Sequence, residues 1–118
     1  MIPNAKHFFE SWPSVNGALK SRAPDLSRAF GPFFQTLMKE GALTIKQKEL
    51  IALGIGVALR CEPCIFLHVE KCLKAGATPA EVMESTGVAL MMGGGPVSTY
   101  ATVVSAALDH FEKNPTVH

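Results

Sequence analysis

The sequence predicts an all-α fold of about six helices, and three observations predict it. Apolar residues recur at helical spacing from residue 24 onward. Two capping boxes, Thr44-Ile45-Lys46-Gln47 and Thr78-Pro79-Ala80-Glu81, stand directly before apolar runs. No stretch alternates with the period of two that a half-buried strand needs, and hairpin turn signals are lacking. At 118 residues the chain reads as one domain, 1–118, long enough to bury a real core.

Taken in order, Val15 to Lys20 predicts a short first helix. Pro24-Asp25-Leu26 opens a second, with Leu26, Phe30, Phe33, Phe34, Leu37 and Met38 as its apolar stripe, and Gly31-Pro32 is a place for a bend. Lys39-Glu40-Gly41 ends it. The Thr44 box starts a third helix that runs through Leu59 and is apolar nearly all round after Glu49, which predicts a central position. Gly54 and Gly56 are poor helix formers, so their use there is close helix–helix approach. Arg60-Cys61 breaks this helix, and Pro63 lies in the first turn of a fourth that closes at Ala75-Gly76. The Thr78 box starts the fifth, which Gly93-Gly94-Gly95 stops. Pro96 opens a last helix through Phe111, rich in Ala, Ser, Thr and Val.

Composition narrows the function classes. The chain is 47% hydrophobic and only 18% charged, an unusual balance for so small a monomer. Apolar surface buried between subunits, on the third and last helices, is therefore expected. A net charge of +1 with scattered signs gives no basic patch for nucleic acid. Met1 to Phe9 has no secretory pattern, and every apolar run is broken before membrane-spanning length. A cytoplasmic protein is expected. Three cysteines do not make a disulfide framework, and a close pair in a reducing compartment points to catalysis or metal binding.

That pair is Cys61-Glu62-Pro63-Cys64, followed by His68. With Cys61 at the N-cap of the fourth helix, Cys61, Cys64 and His68 fall at i, i+3 and i+7 on one stripe. Cα atoms three apart on a helix are on the order of 5 Å from each other, which a disulfide can bridge. The helix N-terminus stabilises a thiolate, and His68, one turn past Cys64, can exchange a proton with it. Glu49 lies on the helix leading into the motif. Buried near the thiols, it would be a usable proton acceptor.

Glu49, Cys61-Glu62-Pro63-Cys64 and His68 on consecutive helices, then Ala75 through Val82 at the start of the next, resemble the AhpD-like, carboxymuconolactone decarboxylase superfamily. The resemblance covers roughly Ala42 to Phe111. It implies an all-α helical bundle, a homotrimer or homohexamer, and alkylhydroperoxidase-type activity without a cofactor. It also implies a redox pair, Cys61 and Cys64, served by a Glu49–His68 proton relay, with a hydroperoxide and a dithiol reductant as partners. Some peroxidase members carry a histidine just before the second cysteine, where this chain has Pro63. The decarboxylase branch lacks the cysteine pair, so the chain sides with the redox branch. The helix dipole favours Cys61 as the attacking thiol. Contact with His68 and the family pattern favour Cys64, with Cys61 resolving.

Blander readings compete. The pair could be inert buried thiols in a non-redox binding or structural oligomer, and Glu49 a solvated acid. A small zinc protein is the sharper rival, but Cys61 and Cys72 on one helix lie roughly 16 Å apart along its axis, too far to share a tetrahedral ion. Cys72 reads as core, as do the methionines, including Met91-Met92. His7, His110 and His118 read as surface, and Trp12 with Phe8 and Phe9 as a pin for the N-terminal arm.

Overall fold

The computed structural model describes residues 2–115. Among them the chain forms α1 (Ala5–Arg22), α2 (Pro24–Met38), α3 (Ile45–Ala58), α4 (Glu62–Lys74), α5 (Pro79–Gly93), the single turn α6 (Gly95–Ser98) and α7 (Ala101–Lys113). The expected all-α class and six main helices are found. Both capping boxes form: Thr44 and Thr78 accept from the backbone N–H of Gln47 and Glu81 at 3.1 Å each, and those side chains accept from the cap N–H groups in return.

Two boundaries differ from expectation. α1 begins ten residues before Val15, because Asn4 caps it by accepting from the His7 N–H at 3.1 Å. It runs through Pro13, held by aromatic contacts rather than by propensity. Phe8 stacks on Phe66 at 4.8 Å, and Phe9 meets Phe111 edge-on at 4.9 Å. The last helix is split. Gly94 at φ 75 ends α5, a left-handed conformation that suits glycine. The next turn buries Val97 in the core before α7 starts.

α3 and α4 run antiparallel at the centre, with α5 against α3 and α7 against α4. Leu53, Val57, Ile65, Phe66, Val104 and Phe111 fill the space between them, each at most 1% exposed. The expected close approaches occur. A Cβ on Gly56 would lie 3.2 Å from the Cys64 Cβ, and one on Gly54 would lie 3.3 Å from the Ser85 hydroxyl. α7 spends its apolar stripe on this core, so it is not the uncovered face that the sequence led us to expect. The uncovered apolar residues are elsewhere. Leu26, Phe30, Phe33 and Leu37 line the outside of α2, which buries no residue at all. Ile51, Ile55, Val88 and Met92 line a groove of about 400 Å³ between α3 and α5. Met91 and Met92 are therefore surface, not core. No helix among the described residues is long and apolar enough to cross a membrane.

Candidate active site

Glu49 lies on the inward stripe of α3, in register with Leu53, Gly56 and Val57, and is therefore carried into the core with them. Its carboxylate, 7% exposed, meets the His68 ring: Glu49 Oε1 lies 2.7 Å from His68 Nδ1. The pair is formed across the α3–α4 interface from residues 19 apart in sequence. Placing Glu49 in solvent is thereby excluded.

The turn between the two helices sets the cysteines. α3 ends in a Schellman arrangement: the Arg60 N–H donates to the Val57 carbonyl and the Cys61 N–H to the Gly56 carbonyl, both at 3.0 Å. The left-handed position, usually glycine, is held by Arg60 at φ 57. This reversal delivers Cys61 to the N-cap of α4, where its sulfur accepts from the Cys64 N–H at 3.2 Å. Cys61 and Cys64, with Cα atoms 5.2 Å apart, are joined in a disulfide. Both are half-buried. His68 is one turn further along the same stripe. The structure thus brings all four expected residues onto the facing sides of α3 and α4.

Cys72, one turn past His68, is buried and unpaired by any disulfide. Burial, and secondarily the nearby charge of Glu49, push its thiol up to about 12. It is the wrong thiol for nucleophilic work at neutral pH. Among the described residues no group of three or more His, Cys, Asp or Glu side chains is positioned to hold a metal ion. His7 is exposed, as expected, whereas His110 is half-buried with its ring stacked 5.1 Å from that of Phe9. His118 lies outside the described residues. Trp12 stacks on Phe8 at 5.3 Å within α1, and it is Phe8 and Phe9, against Phe66 and Phe111, that pin the helix.

One part of the site was not anticipated. Glu49 also lines a cavity of about 610 Å³ on the side of α3 towards α2, with Phe34, Ile45, Lys46, Lys71 and Lys74 among its walls. The Lys71 ammonium sits 4.2 Å over the Phe34 ring, and Lys46 pairs with Glu81 at 2.9 Å. In the sequence Phe34 is one member of an apolar stripe. Its helical position, at the stripe's inner edge, is the one signal that sets it apart.

Comparison with known proteins gives a consistent relationship. The profile of the carboxymuconolactone decarboxylase family matches residues 24–107. A solved apo structure of a carboxymuconolactone decarboxylase family protein from Legionella pneumophila superposes with a TM-score of 0.84 at 34% identity, over 91% of this chain and 96% of that one. A Thermotoga maritima protein superposes with a TM-score of 0.84 at 27% identity, over 96% and 99% of the two chains. A second structure of the same Thermotoga maritima protein, described as a carboxymuconolactone decarboxylase family protein with a suggested role in antioxidative response, gives a TM-score of 0.72 at 27% identity over 78% and 95% of the two chains. An uncharacterized protein of Cupriavidus necator is 33% identical over 80% of this chain and 93% of its own.

Proposed function

The chain belongs to the carboxymuconolactone decarboxylase family, and on that premise we propose that it is a thiol-dependent oxidoreductase that reduces hydroperoxides at the expense of a dithiol. The observation that carries this reading is the Cys61–Cys64 disulfide at the head of α4, one turn from an imidazole held by a buried carboxylate. A closed pair is one end of a redox cycle, and a histidine fixed by hydrogen bonding to a carboxylate is a general base with a defined orientation.

In the reduced state His68 takes the proton of Cys64, and Glu49 stabilises the resulting imidazolium. The Cys64 thiolate attacks a peroxide oxygen and the O–O bond breaks. The alkoxide leaves as alcohol with the proton, and Cys64 becomes a sulfenic acid. The Cys61 thiol then attacks that sulfur, the S–O bond breaks, water leaves and the disulfide closes. An external dithiol reopens it by two thiol–disulfide exchanges. The sum is hydroperoxide plus dithiol giving alcohol, water and disulfide. Cys64 as attacker follows from its proximity to His68 along the helix, and Cys61 as the resolving thiol.

We further propose that the chain works as a homo-oligomer, a trimer or hexamer. Leu26, Phe30, Phe33 and Leu37 recur at i, i+4, i+7 and i+11 and are 54–61% exposed in the single chain. Such a stripe at helical spacing is a packing face without a partner. Consumption of an alkyl hydroperoxide, measured against a panel of dithiol reductants, tests the activity. Absence of turnover with every dithiol, in protein whose pair cycles normally between thiol and disulfide, would overturn the peroxidase reading.

A further inference from the structure

Glu49 has two neighbourhoods. One oxygen meets His68 on the α4 side. The residue also forms part of the wall of the 610 Å³ cavity on the α2 side. Of the residues lining that cavity Glu49 is the buried one, and the rest are half-buried or exposed, so it lies at the floor. None of Cys61, Cys64 and His68 lines the cavity. A hydroperoxide covering the thiols would therefore leave this second opening clear.

We propose that the cavity is the relay's own opening to solvent, and that it admits small carboxylic acids to the position of the Glu49 carboxyl group. The proposal rests on the relay reading given above. A relay whose outer member touches bulk water keeps its protonation set by the solution while substrate occupies the thiol side. A proton that His68 takes from a thiol can pass to Glu49 and on to water in the cavity, and one can return by the same route to the departing alkoxide. No net proton is gained or lost over the cycle. The walls suit a small organic acid. Phe34 and Ile45 supply apolar surface. Of the three ammonium groups, Lys46 is paired with Glu81 at 2.9 Å and Lys74 lies 3.9 Å from Glu70, so Lys71, over the Phe34 ring, is the cation best placed to draw in an anion, with Glu40 as a further carboxylate in the wall.

The test is chemical rescue in the full chain. Glu49→Ala removes the carboxyl group and leaves its space open to the cavity, with Glu49→Ser as a second variant if the alanine protein does not fold. Hydroperoxide turnover is measured with formate, acetate and benzoate, against chloride at equal ionic strength. Acetate is expected to raise the turnover of the variant at least tenfold and to saturate, and benzoate to raise it less. Adding Phe34→Trp to the same background, which narrows the cavity, is expected to cut the gain to under twofold, each gain being normalised to its own carboxylate-free rate. An impaired Glu49 variant that no carboxylate improves would overturn the inference and leave the relay standing. So would an undiminished gain in the Phe34→Trp background, since the acid would then be arriving from the thiol side. Parental turnover in the Glu49 variant would instead overturn the relay reading and the inference with it.

Discussion

Replacing Glu49 or His68 by glutamine separates chemistry from stability at the centre of this site. The Glu49–His68 contact is 2.7 Å long with side-chain exposures of 7% and 16%, so both partners are largely out of water. A hydrogen bond with a charged partner contributes about 1.5–3 kcal/mol and a neutral one about 0.5–1.5 kcal/mol. Glutamine at either position keeps a polar group of similar reach. The expected loss in stability is therefore about 1 kcal/mol. With an unfolding entropy of about 2.1 cal/mol/K per residue, that corresponds to a fall in Tm of roughly 4 °C for a chain of this size. Turnover should suffer far more, because neither glutamine can carry the proton. Loss of a general base costs on the order of tenfold at least and typically about 10²–10⁴-fold. Thermal melts of the reduced protein, hydroperoxide turnover and the alkylation rate of the reduced pair at neutral pH are the assays. Turnover within twofold of the parent in both variants would refute the argument. So would a Tm lowered by more than about 10 °C with parental turnover per folded molecule, which would make the pair a structural contact only.

Four further outcomes are expected. Cys61→Ser should trap a sulfenic acid on Cys64 after a peroxide pulse, seen by dimedone labelling and mass spectrometry, whereas trapping only in Cys64→Ser would reverse the order of the thiols. Cys72, with its thiol held at about 12 against an ordinary 9.0, should resist iodoacetamide in the folded protein. Because the folded state holds that proton more tightly, the Cys72 contribution to stability should be complete below pH 9 and be lost as pH rises above it, and Cys72→Ala should flatten this alkaline slope in denaturant titrations. Glu81 is held below its ordinary value of 4.5, first by the Thr78 backbone N–H and then by Lys46, so its contribution is complete above pH 4.5 and is lost as the solution becomes more acid. Glu81→Gln should remove that acid-sensitive component from the melts. Light scattering of the reduced protein should show an oligomer at micromolar concentration that Phe30→Glu with Phe33→Glu dissociates, and a parent that is already monomeric would contradict the assembly.

Legibility in the sequence followed the range of the interactions. α3 and α5 start where their capping boxes predict, because a cap is written within four residues and needs nothing else. α1 could not be bounded in that way. Its length depends on Phe8 and Phe9 finding Phe66 and Phe111, which are some 60 to 100 positions away in the chain. The thiol pair and His68 were legible for the same local reason as the caps, since one helix carries all three. Glu49 was open between a solvated and a buried acid, because α3 is apolar nearly all round and its pattern marks no single inward face; the packing of α3 on α4 decides it. The cavity was out of reach because its walls come from α2, α3 and α4 and the loop before α3, and no local pattern encodes how α2 lies across the other two. The left-handed Arg60 was equally hidden, since glycine is the usual signal for that conformation.

α2 would link the site to the proposed assembly. Within the chain it packs against α1 and α3, with polar contacts among those that hold it. Lys48 donates to the carbonyls of Leu37 and Lys39 at 2.9 and 2.6 Å, and Lys71 caps the Phe34 ring. These are exposed or half-exposed interactions, of the kind that contribute about 0.5–1 kcal/mol each. Its outer stripe is a larger reservoir. Leu26, Phe30, Phe33 and Leu37 are each more than half exposed, and full burial of such a side chain stabilises by about 1.5–3 kcal/mol. Covering that stripe with a second copy would therefore fix α2 more firmly than these polar contacts do. Phe34 is on the same helix, so a subunit seated on the outer face would also fix the wall of the cavity that ends on Glu49. On this view the greasy composition and the buried acid, which look unrelated in the sequence, meet in one helix, and the proposed oligomer would hold open the solvent side of the proposed relay.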